Sequence, residues 1–368
     1  MNNFRVLCLA ALAPVIWGGG AAAAGAEELK VLARYDLPAA GQSGGATDIR
    51  FATDDSVFLA RGFSGVQEVS LKEPLKVLRG VVPDVKTLDG PRNYQNLAAS
   101  PNFLAVAADS WDVAWRPAAL QRNGAVGFYV ERVVTSVDID VFEDRILILG
   151  DGRADHQTAD RVGGIAFLGR MSATGLKGFH PVLFDVHGAG MASLSNCAWH
   201  KLGGVRFLPD GTFVVVPGFQ PGAHLFDAQG QPIHAWSGRE TSLTTDCSTI
   251  SKAESERLWH FDIPQATAWM NGERVLDDIL PLEEGPGLLI RSARADGRTI
   301  WELRVLRQAG DVAVYKIPFT GAPSDRLSGD VRAGRIALLR SSWHFMLGAS
   351  RGELLLLEAP RGRKEAGR

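Results

Sequence analysis

Residues 203–236 read GGVRFLPDGTFVVVPGFQPGAHLFDAQGQPIHAW. Short apolar runs alternate with turn residues along this stretch. Pro-Asp-Gly between two such runs is typical of a hairpin turn, and Asp-x-x-Gly follows the third run. The stretch therefore predicts four short antiparallel strands joined by tight turns.

The same unit recurs along the chain. Further copies begin at Ala46, Tyr94, Val134, Val275 and Gly334, which makes six in all. Radial repetition of four-stranded sheets gives a β-propeller. We therefore expect an all-β fold, a six-bladed β-propeller, with seven blades left open by residues 237–275.

The last copy lacks one strand. It supplies three predicted strands, near 336–340, 344–349 and 353–358, before Pro360 and a charged tail. The segment LKVLARYDL, residues 29–37, precedes the first copy without a partner. We expect it to complete the last blade and so close the ring.

Residues 203–236 resemble an NHL-type repeat through Gly-Val-x-Phe, the Pro-Asp-Gly turn, the Phe-Val-Val-Val strand and the outgoing HLFDAQGQPIHAW hairpin. The other copies match more loosely. The resemblance implies a six-bladed propeller of the NHL, TolB-like or gluconolactonase-like kind. That fold hosts hydrolases, lyases, quinoproteins and pure interaction modules, so it selects no single activity.

Composition and charge limit the classes of partner and the cellular location that we expect. The 368-residue chain has a net charge of −2 and no basic run inside its body, which argues against a nucleic-acid partner. Residues 1–26 read as a secretory signal peptide, with Arg5, a short apolar core and Ala24-Gly25-Ala26. We expect an exported protein, periplasmic or extracellular, with one propeller domain at 27–360, a flexible basic tail at 361–368 and no transmembrane segment.

Two cysteines remain after the signal peptide, Cys197 and Cys247. An even number in an exported chain favours a disulfide between them. Half of a metal site around Cys197 and His200 is the weaker alternative, because no second half accompanies it.

Alignment of the six copies predicts one ring position per blade at the channel mouth. These residues are Asp48, Asn96, Asp138, Gly204, Asp278 and Arg335. Oxygen ligands of this kind suit Ca²⁺, and gluconolactonase-like proteins hold their metal on such a ring. The expected metal ligands are Asp48, Asn96, Asp138 and Asp278. Arg335 would bind a carboxylate or phosphate of a ligand, or neutralise the ring.

A structural role for these aspartates, accepting hydrogen bonds from backbone amides, competes with the metal site and with a metal-free ligand site. Two loops are further candidates for ligand binding. Residues 150–164, with Asp151, Asp155, His156 and Asp160, fit a flexible solvated loop better than a calcium loop, and in 109–117 Trp111 and Trp115 would either stack on a ligand or pack within a blade. The sequence Gly348 to Gly352 fits the Gly-x-Ser-x-Gly nucleophile pattern but lies between strands, so we interpret it as a hairpin turn.

Three functions follow from these features. The first is a binding module for a small molecule or an envelope protein, using the loop-rich mouth. The second is a Ca²⁺-dependent hydrolase or lyase in which the metal polarises a carbonyl and a carboxylate acts as base. A quinone-cofactor dehydrogenase is possible by fold alone.

Overall fold

The structure is a computed structural model. It describes residues 26–37, 45–62, 65–81, 94–108, 112–117, 129–131, 135–151, 164–172, 175–184, 202–218, 220–246, 272–294, 296–322, 325–344 and 348–360.

Strands dominate the described residues. Two come first along the chain, β1 (Glu27–Glu28) and β2 (Val31–Leu37). Sheet 1 consists of β3 (Asp48–Thr53), β4 (Ser56–Ala60), β5 (Val66–Ser70) and β6 (Val77–Val81). Sheet 2 consists of β7 (Tyr94–Ala99), β8 (Phe103–Ala108), β9 (Asp112–Pro117) and β10 (Tyr129–Glu131). Sheet 3 consists of β11 (Thr135–Phe142), β12 (Arg145–Asp151), β13 (Gly164–Ser172) and β14 (Gly175–Phe184).

Sheet 4 consists of β15 (Gly204–Phe207), β16 (Phe213–Val216), β17 (Gly222–Phe226) and β18 (Pro232–Ser237), followed by the single-turn helix α1 (Gly238–Thr241). Sheet 5 contains β19 (Arg274–Leu282), β20 (Gly285–Ala293), β21 (Thr299–Leu306) and β22 (Val312–Gly321), and β1 pairs in parallel with the outer edge of β22. Sheet 6 contains β23 (Asp325–Arg332), β24 (Arg335–His344) and β25 (Gly348–Glu358), with β2 as its outermost strand. The fold is an all-β propeller.

The four strands predicted for residues 203–236 are confirmed as sheet 4. Gly211 of the Pro-Asp-Gly turn has φ +81°, a backbone conformation that other residues rarely adopt. In the next turn, Asp227 Oδ1 accepts hydrogen bonds from Gln229 N at 2.9 Å and Gln231 N at 2.8 Å. Local turn chemistry therefore sets the register of this sheet.

The core lies between sheets. Six clusters of buried side chains each join two consecutive sheets, and the last joins sheet 6 to sheet 1. In that last cluster Leu37 of β2 and Leu354 of β25 pack with Ile49 and Leu59 of sheet 1. The inner strands β3, β7, β11, β15, β19 and β23 also contact one another in this order, and β23 contacts β3.

The predicted last unit began one strand too late. Gly334 and the residues after it form β24, the second strand of sheet 6, whereas the inner strand is β23. Gly348 to Gly352 lie in β25 rather than in a hairpin turn. Within the described residues, no helix is both long and apolar enough to cross a membrane.

Candidate functional site

Polar residues at equivalent positions of the inner strands bond to the next sheet. Asp48 Oδ2 accepts a hydrogen bond from Leu97 N at 2.7 Å, across sheets 1 and 2. Asp138 Oδ2 accepts one from Val205 N at 2.9 Å, across sheets 3 and 4. Asp278 does the same across sheets 5 and 6. These bonds fix which positions are equivalent from sheet to sheet.

Asp278 accepts three hydrogen bonds, as many as Asp48. Its Oδ2 accepts from Gly329 N at 2.7 Å, and its Oδ1 accepts from Ile279 N at 2.7 Å and from Arg206 Nη2 at 3.0 Å. Asp48 Oδ1 likewise accepts from the backbone N–H of the following residue, and so does Asp138 Oδ1. Hydrogen bonds to backbone amides therefore take up both oxygens of each carboxylate.

Two ring positions differ from the aspartates. Asn96 Nδ2 donates to Val137 O at 2.6 Å, which links sheets 2 and 3. Gly204 has no side chain, and a Cβ there would lie 3.1 Å from Leu276 Cδ2 and 3.4 Å from Asp138 Oδ2. This close approach allows Asp138 to reach the amide of sheet 4.

A second polar layer lies two residues further along the inner strands. Asp140 Oδ2 accepts from Phe207 N at 2.7 Å, and Asp330 Oδ2 accepts from Phe51 N at 2.8 Å. The layer also contains Arg50 and Arg206, which are 2% exposed. Side chains two apart on a strand face the same way, so alternation places this layer in the channel beside the first.

The two arginines tie the layers together. Arg50 Nη1 lies 2.7 Å from Asp48 Oδ1 and 3.7 Å from Asp278 Oδ2. Arg206 Nε donates to Ile279 O at 2.8 Å and its Nη2 donates to Gly329 O at 3.1 Å. We call this set the hub cluster. Its members are Asp48, Arg50, Asp138, Asp140, Arg206, Asp278 and Asp330.

The hub cluster contains five carboxylates and two guanidinium groups. Burial raises the pKa of Asp48 to about 6, with attraction from Arg50 opposing it and repulsion from Asp278 adding to it. Burial and the neighbouring charge of Asp278 raise the pKa of Asp138 to about 7. The pKa of Asp140 is raised by burial as well. The hub cluster therefore takes up protons near neutral pH.

Arg335 does not belong to the ring, so its predicted position was wrong. It starts β24, beyond the end of the inner strand, and its Nη2 donates to Asp54 O at 2.5 Å on the hairpin of sheet 1. The equivalent ring position in sheet 6 belongs to Ser328, next to Gly329, whose N–H bonds to Asp278. Asp48, Asp138 and Asp278 do meet around Arg50 and Arg206.

The sequence contained a signal for this correction. Asp140-Val141 precedes Arg145-Ile146 by the same spacing as Asp330-Val331 precedes Arg335-Ile336. Glu143 and Ala333 occupy the same place in the two turns, and both have positive φ, 55° and 49°. Alignment of the two copies on this pattern would have placed Arg335, like Arg145, at the start of the second strand. The arginines Arg50 and Arg206 were missed because only one ring position per copy was considered.

Replacement of Arg335 by methionine should cost about 0.5–1.5 kcal/mol of unfolding free energy, the usual worth of one hydrogen bond. Urea titration followed by tryptophan fluorescence would measure it. The pH dependence of stability should not change, because Arg335 lies away from the hub cluster. A changed pH dependence would contradict this and indicate that Arg335 interacts with the hub cluster.

Several predicted features fall outside the described residues. These include the Cys197–Cys247 pair, Trp111, and Asp155, His156 and Asp160 of the polar loop, so all of them stay predictions. Among the residues that are described, no three His, Cys, Asp or Glu side chains are grouped so that they could hold a metal ion. The Ca²⁺ ligand set therefore also stays a prediction. Both oxygens of Asp48, Asp138 and Asp278 accept the backbone hydrogen bonds described above.

The two ends of the inner strands differ in their connections. At the end where the inner strands finish, short turns such as Asp54–Asp55, Glu143–Asp144 and Ala333–Gly334 join inner strands to second strands. Most of the long connections leave and return at the opposite end, among them 82–93, 152–163, 185–203 and 242–273, whereas 118–128, between β9 and β10, begins and ends at the end with the short turns. We call this opposite end the loop mouth. Asp48 and Asp278, at the ring positions, lie closer to the loop mouth than the second polar layer does.

No family model and no curated protein matches the chain. Two solved structures with a similar fold are the WD40 β-propeller domain of Doa1 and YCF48 bound to D1 peptide. The first has a TM-score of 0.42 and 10% identity, with 91% of this chain and 97% of that chain covered. The second has a TM-score of 0.41 and 9% identity, with 92% and 100% covered. The propeller assignment rests on the sheet topology.

Proposed function

We propose that this chain is an exported, non-catalytic β-propeller that binds a small molecule or an envelope protein at the loop mouth. In this proposal the six sheets are six blades of a closed ring, which β2 completes by pairing with β25. The NHL-like stretch at 203–236 supports membership of that broad group of propellers. Export predicts a mature chain that starts near Glu27, which N-terminal sequencing would test.

The asymmetry of the connections carries the proposal. Short turns join the inner strands to the second strands at one end, while most of the long connections begin and end at the other. Binding residues occur disproportionately on loops that a rigid scaffold positions. A rigid ring of strands with long loops on one face is therefore suited to recognition at that face.

The hub cluster supports a structural rather than a catalytic channel. Each ring aspartate accepts a backbone hydrogen bond on both oxygens, and one of the two comes from the neighbouring sheet, so loss of the carboxylate would remove a bond between sheets. A buried amide left without its acceptor costs about 1–3 kcal/mol. The Ca²⁺-dependent hydrolase, which requires these same oxygens, is the less favoured function.

Photo-crosslinking tests the proposed face with a matched pair of alanines. Ala322 and Ala333 are both exposed and flank the same inner strand, Ala322 at the loop mouth and Ala333 at the opposite end. A photoreactive amino acid at position 322 should crosslink a ligand in the producing cells, identified by mass spectrometry, and the same group at 333 should not.

Equal crosslinking at the two positions, or crosslinking at 333 alone, would contradict binding at the loop mouth. Calcium titration of the purified protein, with assays on lactones and esters, tests the alternative function, the Ca²⁺-dependent hydrolase. Turnover that depends on added Ca²⁺ and is lost in Asp278→Asn would replace the binding proposal with the hydrolase.

A further inference from the structure

Sheet 2 is built from small side chains where it meets its neighbours. Its inner strand β7 and second strand β8 contain five alanines among their twelve residues. The inner and second strands of any other sheet contain at most two. Alanine is depleted in strands, and its single methyl group buries little apolar surface. The sequence therefore makes sheet 2 intrinsically weaker than the sheets beside it.

The hub cluster has no member on sheet 2. Its seven residues lie on the inner strands of sheets 1, 3, 4, 5 and 6. Two residues after the ring position, β7 carries Ala98. The residues at that place in the other inner strands are Arg50, Asp140, Arg206, Leu280 and Asp330. The ion pairs and backbone hydrogen bonds of the hub cluster therefore link the other five sheets without passing through sheet 2.

The apolar contacts of sheet 2 are small on both flanks. Against sheet 3, its fully buried side chains among the described residues are all alanines, Ala98, Ala105 and Ala107. Phe103 packs beside them and is partly buried. Against sheet 1 it buries three side chains, in the smallest of the six core clusters: Leu97, Leu104 and Val106. Release of sheet 2 therefore gives up little of its own buried apolar surface.

Polar contacts add few further links. Besides the bonds of Asp48 to the Leu97 amide and of Asn96 to the Val137 carbonyl, Ser100 Oγ donates to Glu143 O at 3.1 Å. At the rim, β10 of sheet 2 contacts β14 of sheet 3. Arg206 of sheet 4, by comparison, donates three hydrogen bonds to sheets 5 and 6 by itself. Between the described residues, sheet 2 is thus held to its neighbours by weaker contacts than sheet 4 is.

We propose that sheet 2 is the opening segment of this fold. It leaves its place between sheets 1 and 3 in a local opening, while the other five sheets stay in place because the hub cluster joins them. In the open state the flanks of sheets 1 and 3 face solvent, including Phe58, Ile139 and Phe167, and the channel is accessible from its side. Elements that move during binding and regulation come from such regions of low local stability.

This opening is a property of the sheets and not of the loop mouth, so it does not depend on the proposed binding function. The flank of sheet 3 that it uncovers is strongly apolar. Its buried side chains are Ile139, Val141, Ile146, Ile148, Phe167 and Met171.

Hydrogen exchange of the full chain, followed by mass spectrometry, tests the opening without any substitution. Amides of β8 should exchange at least about tenfold faster than those of β16 and β24, the second strands of sheets 4 and 6, because opening of sheet 2 alone frees them. Exchange in β8 should also depend weakly on dilute urea, since a local opening exposes less surface than global unfolding. Equal rates in the three strands, or an equally steep dependence on urea, would overturn the proposal.

Buried alanines provide a matched pair of sites for thiol labelling. Ala105 of β8 and Ala337 of β24 are both fully buried, lie on second strands and face a neighbouring sheet. The thiol of Ala105→Cys should react with a maleimide at least about tenfold faster than that of Ala337→Cys. Mass spectrometry of the digested protein separates these thiols from the native cysteines, and urea titration checks the stability of both variants. Equal reaction at the two positions would contradict a local opening of sheet 2.

Val106→Cys, on the opposite face of β8, distinguishes release of the whole sheet from a gap beside sheet 3. Fast labelling at both 105 and 106 is the expected result. Fast labelling at 105 alone would confine the opening to one junction and overturn release of sheet 2 as a unit. Asn96→Ala, which removes the bond to Val137, should raise exchange in β8 severalfold and leave β24 unchanged, and a matching rise in β24 would count against the proposal.

Discussion

Replacement of Arg206 by methionine is expected to lower the unfolding free energy by on the order of 3–5 kcal/mol, the cost of breaking a buried ion pair from one side. Arg206 is 2% exposed and contacts three other sheets. It donates to Asp278 and to the Ile279 and Gly329 carbonyls, and it lies 3.6 Å from Asp140 Oδ1. Its loss would leave the carboxylates of the hub cluster with one cation.

The matched control is Arg298→Met. Arg298 pairs with Asp296 at 2.6 Å in an exposed turn, where solvent screens the attraction, so its loss should change stability little. Urea unfolding of both variants gives the comparison. Arg206→Lys keeps the charge but not the planar fork, so an intermediate loss is expected and would be measurable even if Arg206→Met does not fold. Equal losses at positions 206 and 298 would show that the hub cluster does not hold the sheets together.

Stability is expected to fall as pH rises from about 5 to about 8, by on the order of 2–4 kcal/mol. The pKa values of Asp48 and Asp138 are raised by burial to about 6 and about 7 in the folded chain, against 3.8 for the exposed groups. The folded state therefore binds more protons than the unfolded state between about pH 4 and pH 7. Stability is greatest below that window and is lost as pH rises through the folded pKa values.

Asp138→Asn isolates the contribution of one carboxyl group. The asparagine cannot ionise, so the fall in unfolding free energy between acid and neutral pH should shrink by about half. Its absolute stability at low pH should drop slightly, because one amide hydrogen bond is lost. Asp296→Asn, an exposed aspartate with a lowered pKa, should leave the slope in this window unchanged. A wild-type profile that is flat or rises toward pH 8 would contradict the raised pKa values.

Much of the architecture could be predicted from local patterns. Apolar runs and the Pro-Asp-Gly and Asp-x-x-Gly turns are encoded within the hairpins of residues 203–236, so sheet 4 was predicted strand by strand. The error in sheet 6 has a local cause as well: the turn at Ala333-Gly334 lacks the Pro, Asn or Asp found in most of the equivalent turns, such as Asp54–Asp55 and Glu143–Asp144. The strand before it was therefore not recognised, and Arg335 was assigned to the inner strand instead of the second strand.

The candidate site was predictable only in part. The positions of Asp48, Asn96, Asp138 and Asp278 follow from strand alternation, because each occupies the same place in its copy. Their hydrogen-bond partners do not follow, since Leu97, Val205 and Gly329 lie on neighbouring sheets whose spacing depends on the packing between them. A sequence pattern that suits a calcium ring also suits a set of carboxylates that join one sheet to the next.

The segment that carries β1 and β2 has a consequence for how the protein is made. β1 adds to sheet 5, Leu29 is buried between sheets 5 and 6, and β2 pairs with β25. Residues synthesised near the beginning are thus held by residues synthesised near the end. In the proposed closed ring, the last step joins residues more than three hundred positions apart, such as Val31 and Leu357, a slow event by the entropy of loop closure. A nascent chain stalled before β25 would leave the side of sheet 1 that contains Ile49 and Leu59 without the side chains of β25 that cover it.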